Sequence, residues 1–571
     1  MAPSFTHALV TIREMMHGDL DRHLTSRDEA KLRELILNMP DPVLIDYVRS
    51  LALRRVDGRA LDDELCGVFE QGDLSGVDLR HTNLRRASLR GANLSGADLR
   101  RARLQGADLS GAELSGADLA WTDLSRTTLH GATYDAATRW PLWFNARRSG
   151  AIGPEADLCG LALPGVSLRG RELPGLNLTR GDLEGADLQG CRLRGLVGDH
   201  AWLRLANLSD ADLAGARLFG ADLGETRLGS VDLSGAILHR ATLEEASGAN
   251  TRLKGADLDE ATLDRVWLVG ADLSGASLRG ASLKRARIDH GDLSGVDLSG
   301  AKLSGADLTR AKLSDTSLRG ANLRGAVLDR AVFRSVELSG ADLRGARATG
   351  ADLSRCDLRE VRLEGASLRF ARLHRARLDG QDLRTTMLGH ANLRGAHLGG
   401  ARLRSLAFAR LQSAHLHETD LTDVDLTLAR YNRSTRWPWN FDPTTCGAIG
   451  PGAQVPGANL HMAEMPHIDL SGADLSGAEL GWADLSKADL SGANLSGANL
   501  AGANLRGAKI VGACFRGATL TGADLRETQV PEADFTRATW DDRTHWPGKR
   551  LWPWVVGSRR VPRRARYVGE L

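Results

Sequence analysis

The residue types that carry most enzyme chemistry are abundant in this sequence of 571 residues, which contains 16 His, 72 Asp and Glu, and six Cys. His415 and His417 flank Leu416, so as alternate outward residues of a strand they could hold a metal ion, or they could simply be exposed surface residues. The Cys residues are widely scattered, and no pair has the two-residue spacing of a metal knuckle or redox motif. Their spacing favours reduced thiols in a cytosolic setting.

Most of the acidic residues recur at one position, directly before a Leu, as in Asp98, Asp108 and Asp118. Because this position repeats along the chain, we interpret these carboxylates as structural and not as catalytic acid pairs. The sequence also contains no metal-spaced His cluster, no phosphate-binding Gly loop with Lys, and no nucleophile elbow. We therefore predict that the protein is not an enzyme and has no catalytic, cofactor-binding or metal site.

A five-residue period positions all of these side chains, with Leu at every fifth residue, as in Ala92-Asn93-Leu94-Ser95-Gly96. An ordinary helix needs apolar residues at three- and four-residue steps, and a strand needs them at every second residue. A sustained period of five instead predicts a solenoid in which each pentapeptide makes one short side and one turn, and four pentapeptides complete a coil. Ala and Leu point inward, the polar residue between them points outward, and Gly allows the corner.

Runs such as SGADLSGAELGWADLSKADLSGANLSGANL (residues 471–500) resemble the pentapeptide-repeat family. The resemblance implies a mainly β fold, a right-handed four-sided β-helix solenoid. Residues 3–70 lack the period and show helical patterning, with a capping box at Ser26 and Glu29, so we expect a small N-terminal α-helical cap. The predicted organisation is a helical cap (1–71), repeat block 1 (72–134), a Trp-Pro loop (135–157), repeat block 2 (158–431), a second Trp-Pro loop (432–454), repeat block 3 (455–540), and a C-terminal cap with a basic tail (541–571).

One irregularity interrupts the second block. After Phe408 the next central Leu is Leu416, eight residues later, which predicts a three-residue insertion and a register shift near residues 411–413. Such an insertion would form either a corner bulge or a kink.

A second motif closes each repeat block: ATYDAATRWP (132–141), ARYNRSTRWP (429–438) and ATWDDRTHWP (538–547). The first two copies continue into GAIGP. The aromatic residues of the two Trp-Pro loops could fold back over the coil as a staple, or they could present a binding surface. The candidate protein-contact residues are Trp140, Trp143, Phe144, Trp437, Trp439 and Phe441, together with the outward Trp121, Trp202, Trp267 and Trp482.

Charge is nearly balanced along the chain, with a formal net charge of +2. At twenty-residue spacing, basic and acidic residues alternate and predict a ladder on one side: Arg192, Arg252, Lys312 and Arg372 with Asp212, Asp232, Asp272, Asp292 and Asp352. The tail is the exception, and its basic residues are either solvated or contact an anionic partner: Arg559, Arg560, Arg563, Arg564 and Arg566. Nucleic-acid binding is not expected except through this tail.

These features favour a non-enzymatic protein-binding scaffold or spacer whose protein partner is not specified by the sequence. The alternative comes from the resemblance: some pentapeptide-repeat proteins mimic DNA and bind a type II topoisomerase, DNA gyrase, which gives toxin or quinolone resistance. A DNA mimic needs a dominant negative field, whereas acids and bases are interleaved here. We also expect a cytoplasmic protein without a membrane span, whose C-terminal end caps the last coil with or without forming a homodimer.

Overall fold

The computed structural model describes residues 69–548 and the backbone of residues 559–560. The helical cap predicted for residues 1–71 lies outside the described residues, except for its last three. The chain divides into two units, Met1–Trp267 and Leu268–Leu571. Both are built from the same coil.

In the first unit, residues twenty apart in sequence pair in parallel, as in the series Asp73, Asn93, Glu113 and Thr133. The contact is a backbone ladder: the Asn93 amide donates to the Gly72 carbonyl (3.0 Å), and the Leu94 amide donates to the Glu113 carbonyl (2.7 Å). Each straight side is a single-residue bridge, and four sides complete a coil. The predicted fold class, a four-sided β-helix, is confirmed.

The core is a column of Leu and Ala inside the coils. Ala92, Leu94, Ala97 and Leu99 are fully buried, and this pattern continues through both units. Leu and Ala lie two residues apart in a short extended segment, so both side chains point to the same face.

The corners explain why Asp or Asn often precedes the central Leu. The Asp108 Oδ1 accepts a hydrogen bond from the Ser110 amide (2.9 Å), and the Asn93 Oδ1 accepts one from the Ser95 amide (3.1 Å). The next residue adopts a left-handed conformation, as at Gly96 (φ 67°), which costs Gly little. The repeated acid therefore stabilises the turn, which is a more specific role than that of an outward polar residue.

Regular strands and helices are few in the described part of the chain. They are the 3₁₀ helix η1, Ala146–Arg148, and the strands β1, Thr539–Trp540, and β2, Arg559–Arg560, which pair in parallel. Among the described residues, no helix is long and apolar enough to cross a membrane.

The register shift lies at a different place from the one predicted. Arg402 pairs with Asp420, and Ser405 pairs with Asp425, so one side and corner take three residues instead of five. Leu406 and Leu411 are fully buried, whereas Phe408 is 42% exposed. The predicted insertion at 411–413 was therefore wrong: two residues are missing at the Leu403–Ser405 corner.

Phe408 lies at a corner, where its ring stacks on His390 with a centroid distance of 4.6 Å. The sequence prediction had placed this residue in the core. Phe408 falls on the five-residue period that runs through Leu398 and Leu403, but the shortened corner moves it out of the core.

Candidate functional site

The first Trp-Pro loop covers the coil with a stack of three aromatic rings. Tyr134 takes the buried Leu position, Trp140 packs edge-on against it (5.3 Å between centroids), and Phe144 stacks on Trp140 (5.2 Å). The Tyr134 hydroxyl donates to the Pro154 carbonyl (3.0 Å). Trp140 and Phe144 pack against the core cluster. For these two candidate residues, the packing agrees with the interpretation that the loop folds back over the coil as a staple.

Glycine is required where the loop returns. A Cβ on Gly153 would lie 2.3 Å from Tyr134 Cζ, so only a residue without a side chain lets the chain pass over the ring. Ile152 then pairs with Thr133 and restores the ladder. The GAIGP segment that follows the first Trp-Pro motif thus returns the chain to the coil past the Tyr134 ring.

The second loop repeats this arrangement in the other unit. Trp437 packs edge-on against Tyr431 (5.6 Å), and Phe441 packs against Trp437 (5.2 Å). The Tyr431 hydroxyl donates to the Pro451 carbonyl (2.9 Å), and burial raises the pKa of this hydroxyl. A Cβ on Gly450 would lie 2.6 Å from the Tyr431 ring.

All three copies of the motif contain an Asp or Asn followed three residues later by a buried Thr. The Thr hydroxyl donates to a carbonyl of the preceding coil (2.8–2.9 Å), and the acid or amide oxygen accepts from an amide of that coil (2.8–3.0 Å). This arrangement accommodates the extra residue of the corner and ties it to the coil below. The pairs are Asp135 and Thr138, Asn432 and Thr435, and Asp541 and Thr544.

The third copy leads into the C-terminal segment. Trp546 packs edge-on against Phe535 (5.4 Å) and Trp540 (6.1 Å). The backbone of Arg559 and Arg560 pairs with Thr539 and Trp540, as Ile152 pairs with Thr133. The first two residues of the predicted basic tail therefore belong to a coil, whereas Arg563, Arg564, Arg566 and the predicted dimer end lie outside the described residues.

Trp143 differs from the other aromatic residues of the first loop because it points away from the stack. It is 64% exposed and contacts Trp121 of the preceding coil (6.1 Å between centroids), which is 61% exposed, and Leu142 beside it is 92% exposed. We call Trp121, Leu142 and Trp143 the aromatic surface. A cavity of about 480 Å³ is lined by Leu142, Trp143 and the stacked rings beneath.

The remaining candidate Trp residues occupy other kinds of position on the coils and loops. Trp202 lies on a straight side, between Asp182 and Asp222 of the adjacent coils, and Trp267 pairs with Ser247. Trp482 occupies a corner above Gly502, and Trp439 in the second loop is almost fully exposed. All four side chains are exposed.

Parts of the predicted charge ladder form within each unit, although acids also pair with acids, as at Asp212 and Asp232. In the first, Arg252 lies 3.8 Å from Asp232; in the second, Lys312 lies 3.3 Å from Asp292. Arg80 and Arg100 form similar pairs with the corner acids, and the Arg100 guanidinium holds the pKa of Asp98 below its usual range. Acid and base therefore neutralise each other locally on these sides.

Within the part of the chain that the structure describes, neither His415 nor His417 belongs to a group of three possible metal ligands. His415 packs against His397 (4.5 Å between centroids), and burial lowers the pKa of His415. Among the described residues, one group has metal-ligand proximity: His239, Asp257 and Asp259, whose ligand atoms lie within 4.8 Å of one another. Asp259 has further interactions of its own. The sequence prediction missed this group, although the coil spacing links residues 239 and 259.

The described cysteines carry free thiols. Cys191 and Cys356 are buried, and Cys159 is exposed. Burial raises the pKa of Cys356 to about 12, so it is a poor nucleophile. Cys66 lies outside the described residues.

Sequence reasoning also missed a cavity of about 700 Å³ in the second unit, lined by Arg394, Arg410, Arg430 and Arg433. Arg410 and Arg430 are twenty residues apart and pair on one side of the coil, and the shortened corner sets the spacing from Asn392 to Arg410 at 18 residues. The predicted register took Phe408 as a central residue, which places Arg410 at a corner and Arg430 on a side, so it did not align them.

Comparisons with known proteins agree with this architecture. A family model described as "Pentapeptide repeats (8 copies)" matches residues 73–131, 155–195, 199–347, 349–427 and 457–522, more than half of the chain. No curated protein matches the chain.

Solved structures with the same repeat were also found. HetL, a pentapeptide repeat protein involved in heterocyst differentiation regulation from the cyanobacterium Nostoc sp. strain PCC 7120, is 33% identical over 44% of this chain and 90% of its own, with a TM-score of 0.17. The pentapeptide repeat protein alr5209 from Nostoc PCC 7120 is 34% identical over 19% of this chain and 84% of its own (TM-score 0.15). QnrB1, a plasmid-mediated fluoroquinolone resistance protein, is 16% identical over 42% of this chain and 93% of its own (TM-score 0.18).

The extent of the family match, together with the four-pentapeptide coil and its Leu and Ala core, gives the family assignment: this chain belongs to the pentapeptide-repeat family.

Proposed function

We propose that the protein is a non-enzymatic protein-binding scaffold, and that the aromatic surface is a contact site for a protein partner. The observation that carries the proposal is the exposed pair of Trp121 and Trp143. Large aromatic side chains dominate binding energy at protein interfaces when a partner removes them from water. An exposed cluster of this kind is uncommon on a surface that has no partner.

Coverage of the coil does not explain this exposure. Tyr134, Trp140 and Phe144 already form the stack above the core, while Leu142 and Trp143 contribute most of their surface to solvent. The rigid β-helix beneath would hold the rings in place, so binding of a partner would cost less conformational entropy than it would at a flexible loop.

The surface charge supports this scaffold more than DNA mimicry at a type II topoisomerase. Ion pairs between stacked coils, such as Arg252 with Asp232 and Lys312 with Asp292, cancel charge on the sides that a mimic would need to be acidic. The likeness to QnrB1, at 16% identity, supports the fold alone.

The test is crosslinking capture of the tagged full-length protein from its native cells, compared with the W121A/W143A double variant. Trp202→Ala is the matched control, because Trp202 is equally exposed in the same unit but makes no contact with the aromatic surface. We expect a protein captured by the parent and by Trp202→Ala to be depleted at least about tenfold with the double variant.

Two results would contradict the proposal: no protein enriched above background, or a partner captured equally by the parent and the double variant. Enrichment of topoisomerase subunits that survives the double substitution would favour DNA mimicry instead. Hydrogen exchange of the coils around residues 112–134 would show that the double variant keeps its fold.

A further inference from the structure

The arginine-rich cavity of the second unit is unlike the charge-balanced sides of the coils. It lies between the side that carries Arg410 and Arg430 and the segment Glu464–Asp469, which belongs to the next repeat block. The lining contains four Arg residues but only two acidic residues, Glu464 and Asp469. The cavity wall thus has an excess of two positive charges.

The arginines are only partly compensated by the protein. Asp469 lies 3.4 Å from Arg433, which also donates to the Ser471 hydroxyl (2.8 Å). Arg430 is half-buried and donates to the backbone carbonyl of Glu464, a neutral acceptor. Within the described residues, Arg394 and Arg410 have no carboxylate partner.

Arg410 and Arg430 are directly opposite one another on neighbouring coils. Like charges in this relation destabilise a sheet. Burial, and then the charge of Arg410, lowers the pKa of Arg430. Other basic residues at this position lie near an acid of a neighbouring coil, as Arg372 does with Asp352 (4.0 Å).

A polar group in the same wall also lacks a partner. The Gln412 Oε1 is buried and has no hydrogen-bond partner among the described residues. Rotation of the amide would present its NH₂ as a donor instead. The wall then combines guanidinium groups with an amide donor, the set of groups that binds oxyanions.

We propose that this cavity binds a small phosphorylated molecule, with Arg394, Arg410 and Arg430 as phosphate ligands. Guanidinium groups match phosphate oxygens in pairs, and the excess of two positive charges matches a phosphate dianion. The volume lies within the range of about 300–1,000 Å³ that is typical of small-molecule sites. This site uses none of the residues of the aromatic surface, so it extends beyond the proposed scaffold function.

Isothermal titration of the full-length protein with inorganic pyrophosphate tests the proposal at a constant ionic strength of about 150 mM, which screens non-specific attraction. We expect saturable binding that weakens at least about tenfold in Arg410→Gln and in Arg394→Gln. Both side chains are exposed, so these variants should fold even if Arg430→Gln does not.

Arg402→Gln is the matched control. Like Arg410, Arg402 is the outward residue of a straight side, but that side is a different one and Arg402 does not line the cavity. Its affinity for pyrophosphate should equal that of the parent. Titrations with orthophosphate and citrate identify the ligand chemistry: tight citrate binding without pyrophosphate binding would replace phosphate by carboxylate and overturn the proposal.

The proposal is also overturned if pyrophosphate does not bind, or if Arg402→Gln weakens binding as much as Arg410→Gln does. A phosphoserine peptide that binds far more tightly than pyrophosphate would show that the phosphate belongs to a protein, and would overturn the assignment to a small molecule.

Discussion

A methyl group added at Gly153 should disrupt the first Trp-Pro loop. The Cβ of Gly153→Ala would lie 2.3, 2.4 and 2.5 Å from three atoms of the Tyr134 ring. Ordinary contacts begin near 3.4 Å, so the ring and the backbone must separate by about 1 Å. The φ of Gly153 is outside the left-handed region, so the effect is steric and does not come from backbone strain.

The ring has little room to move. Trp140 packs edge-on against it, and its hydroxyl donates to the Pro154 carbonyl (3.0 Å). Overpacking of a filled site costs about 1–3 kcal/mol, and we expect the upper end because both sides of the ring are held. Since about 1.4 kcal/mol corresponds to a factor of ten, local opening should become about 100-fold more frequent.

The assay is hydrogen exchange measured by mass spectrometry on peptides that cover residues 131–156. Each coil of a repeat protein contacts only its neighbours, so a local measurement is more informative than a global melting temperature. Gly229→Ala is the matched control in the same unit, since its Cβ would meet only the Ser209 hydroxyl at 3.7 Å. Exchange around Gly229 should change by less than about threefold.

A second substitution separates steric conflict from other effects. Tyr134→Leu restores the usual central residue of the repeat and removes the ring, so it should relieve most of the effect of Gly153→Ala. A steric conflict would be excluded if Gly153→Ala exchanged no faster than the parent protein, or if the faster exchange persisted undiminished in the double variant.

Three further predictions follow from burial and charge. Leu406→Ala should lower stability by about 2–5 kcal/mol, whereas Phe408→Ala should cost about 1 kcal/mol, because Leu406 is in the core and Phe408 stacks at a corner; urea unfolding of the two variants compares them. Cys159 should react with a maleimide at pH 8 far faster than Cys356, whose burial raises its pKa to about 12; peptide mass spectrometry gives the two rates. Hydrogen bonding to Arg384 lowers the pKa of Asp382 to about 2. The contribution of Asp382 to stability is therefore present above its unfolded pKa of about 3.9 and is lost as the pH falls through 2. The melting temperature of the parent protein should fall between pH 4 and 2, and that of Asp382→Asn should fall less.

Each of these has a result that would count against it. A larger loss of stability in Phe408→Ala than in Leu406→Ala would restore the register expected from the sequence. Equal labelling of the two thiols in the native protein would mean that the coil opens readily around Cys356. An identical acid profile for the parent and Asp382→Asn would show that this carboxylate adds nothing to the pH dependence.

The repeat alone was sufficient to predict the coil. Leu at every fifth residue, with Ala two residues before it, has one compatible geometry, and the pairing of residues such as Asp73 and Asn93 confirms it. The charged pairs could be predicted from the same spacing, because residues twenty apart in sequence lie next to each other on neighbouring coils when the coil length is fixed.

The three Trp-Pro motifs could be recognised but not interpreted from sequence. Trp140 and Trp143 are three residues apart in the same loop, yet one packs on the core cluster and the other lies beside Trp121. The direction of each ring depends on the path of the loop, and that path depends on contacts such as Tyr134 with Gly153.

The sequence by itself determined the coil, its Leu and Ala core and the side on which each regular residue lies, because a strict period leaves one solution that buries every Leu. Only the tertiary structure decided the backbone path and the side-chain positions where the repeat is irregular. The missing residues at the Leu403–Ser405 corner, the exposure of Trp143 and the alignment of Arg410 with Arg430 all depend on which of several local paths the chain takes, and packing between neighbouring coils selects that path.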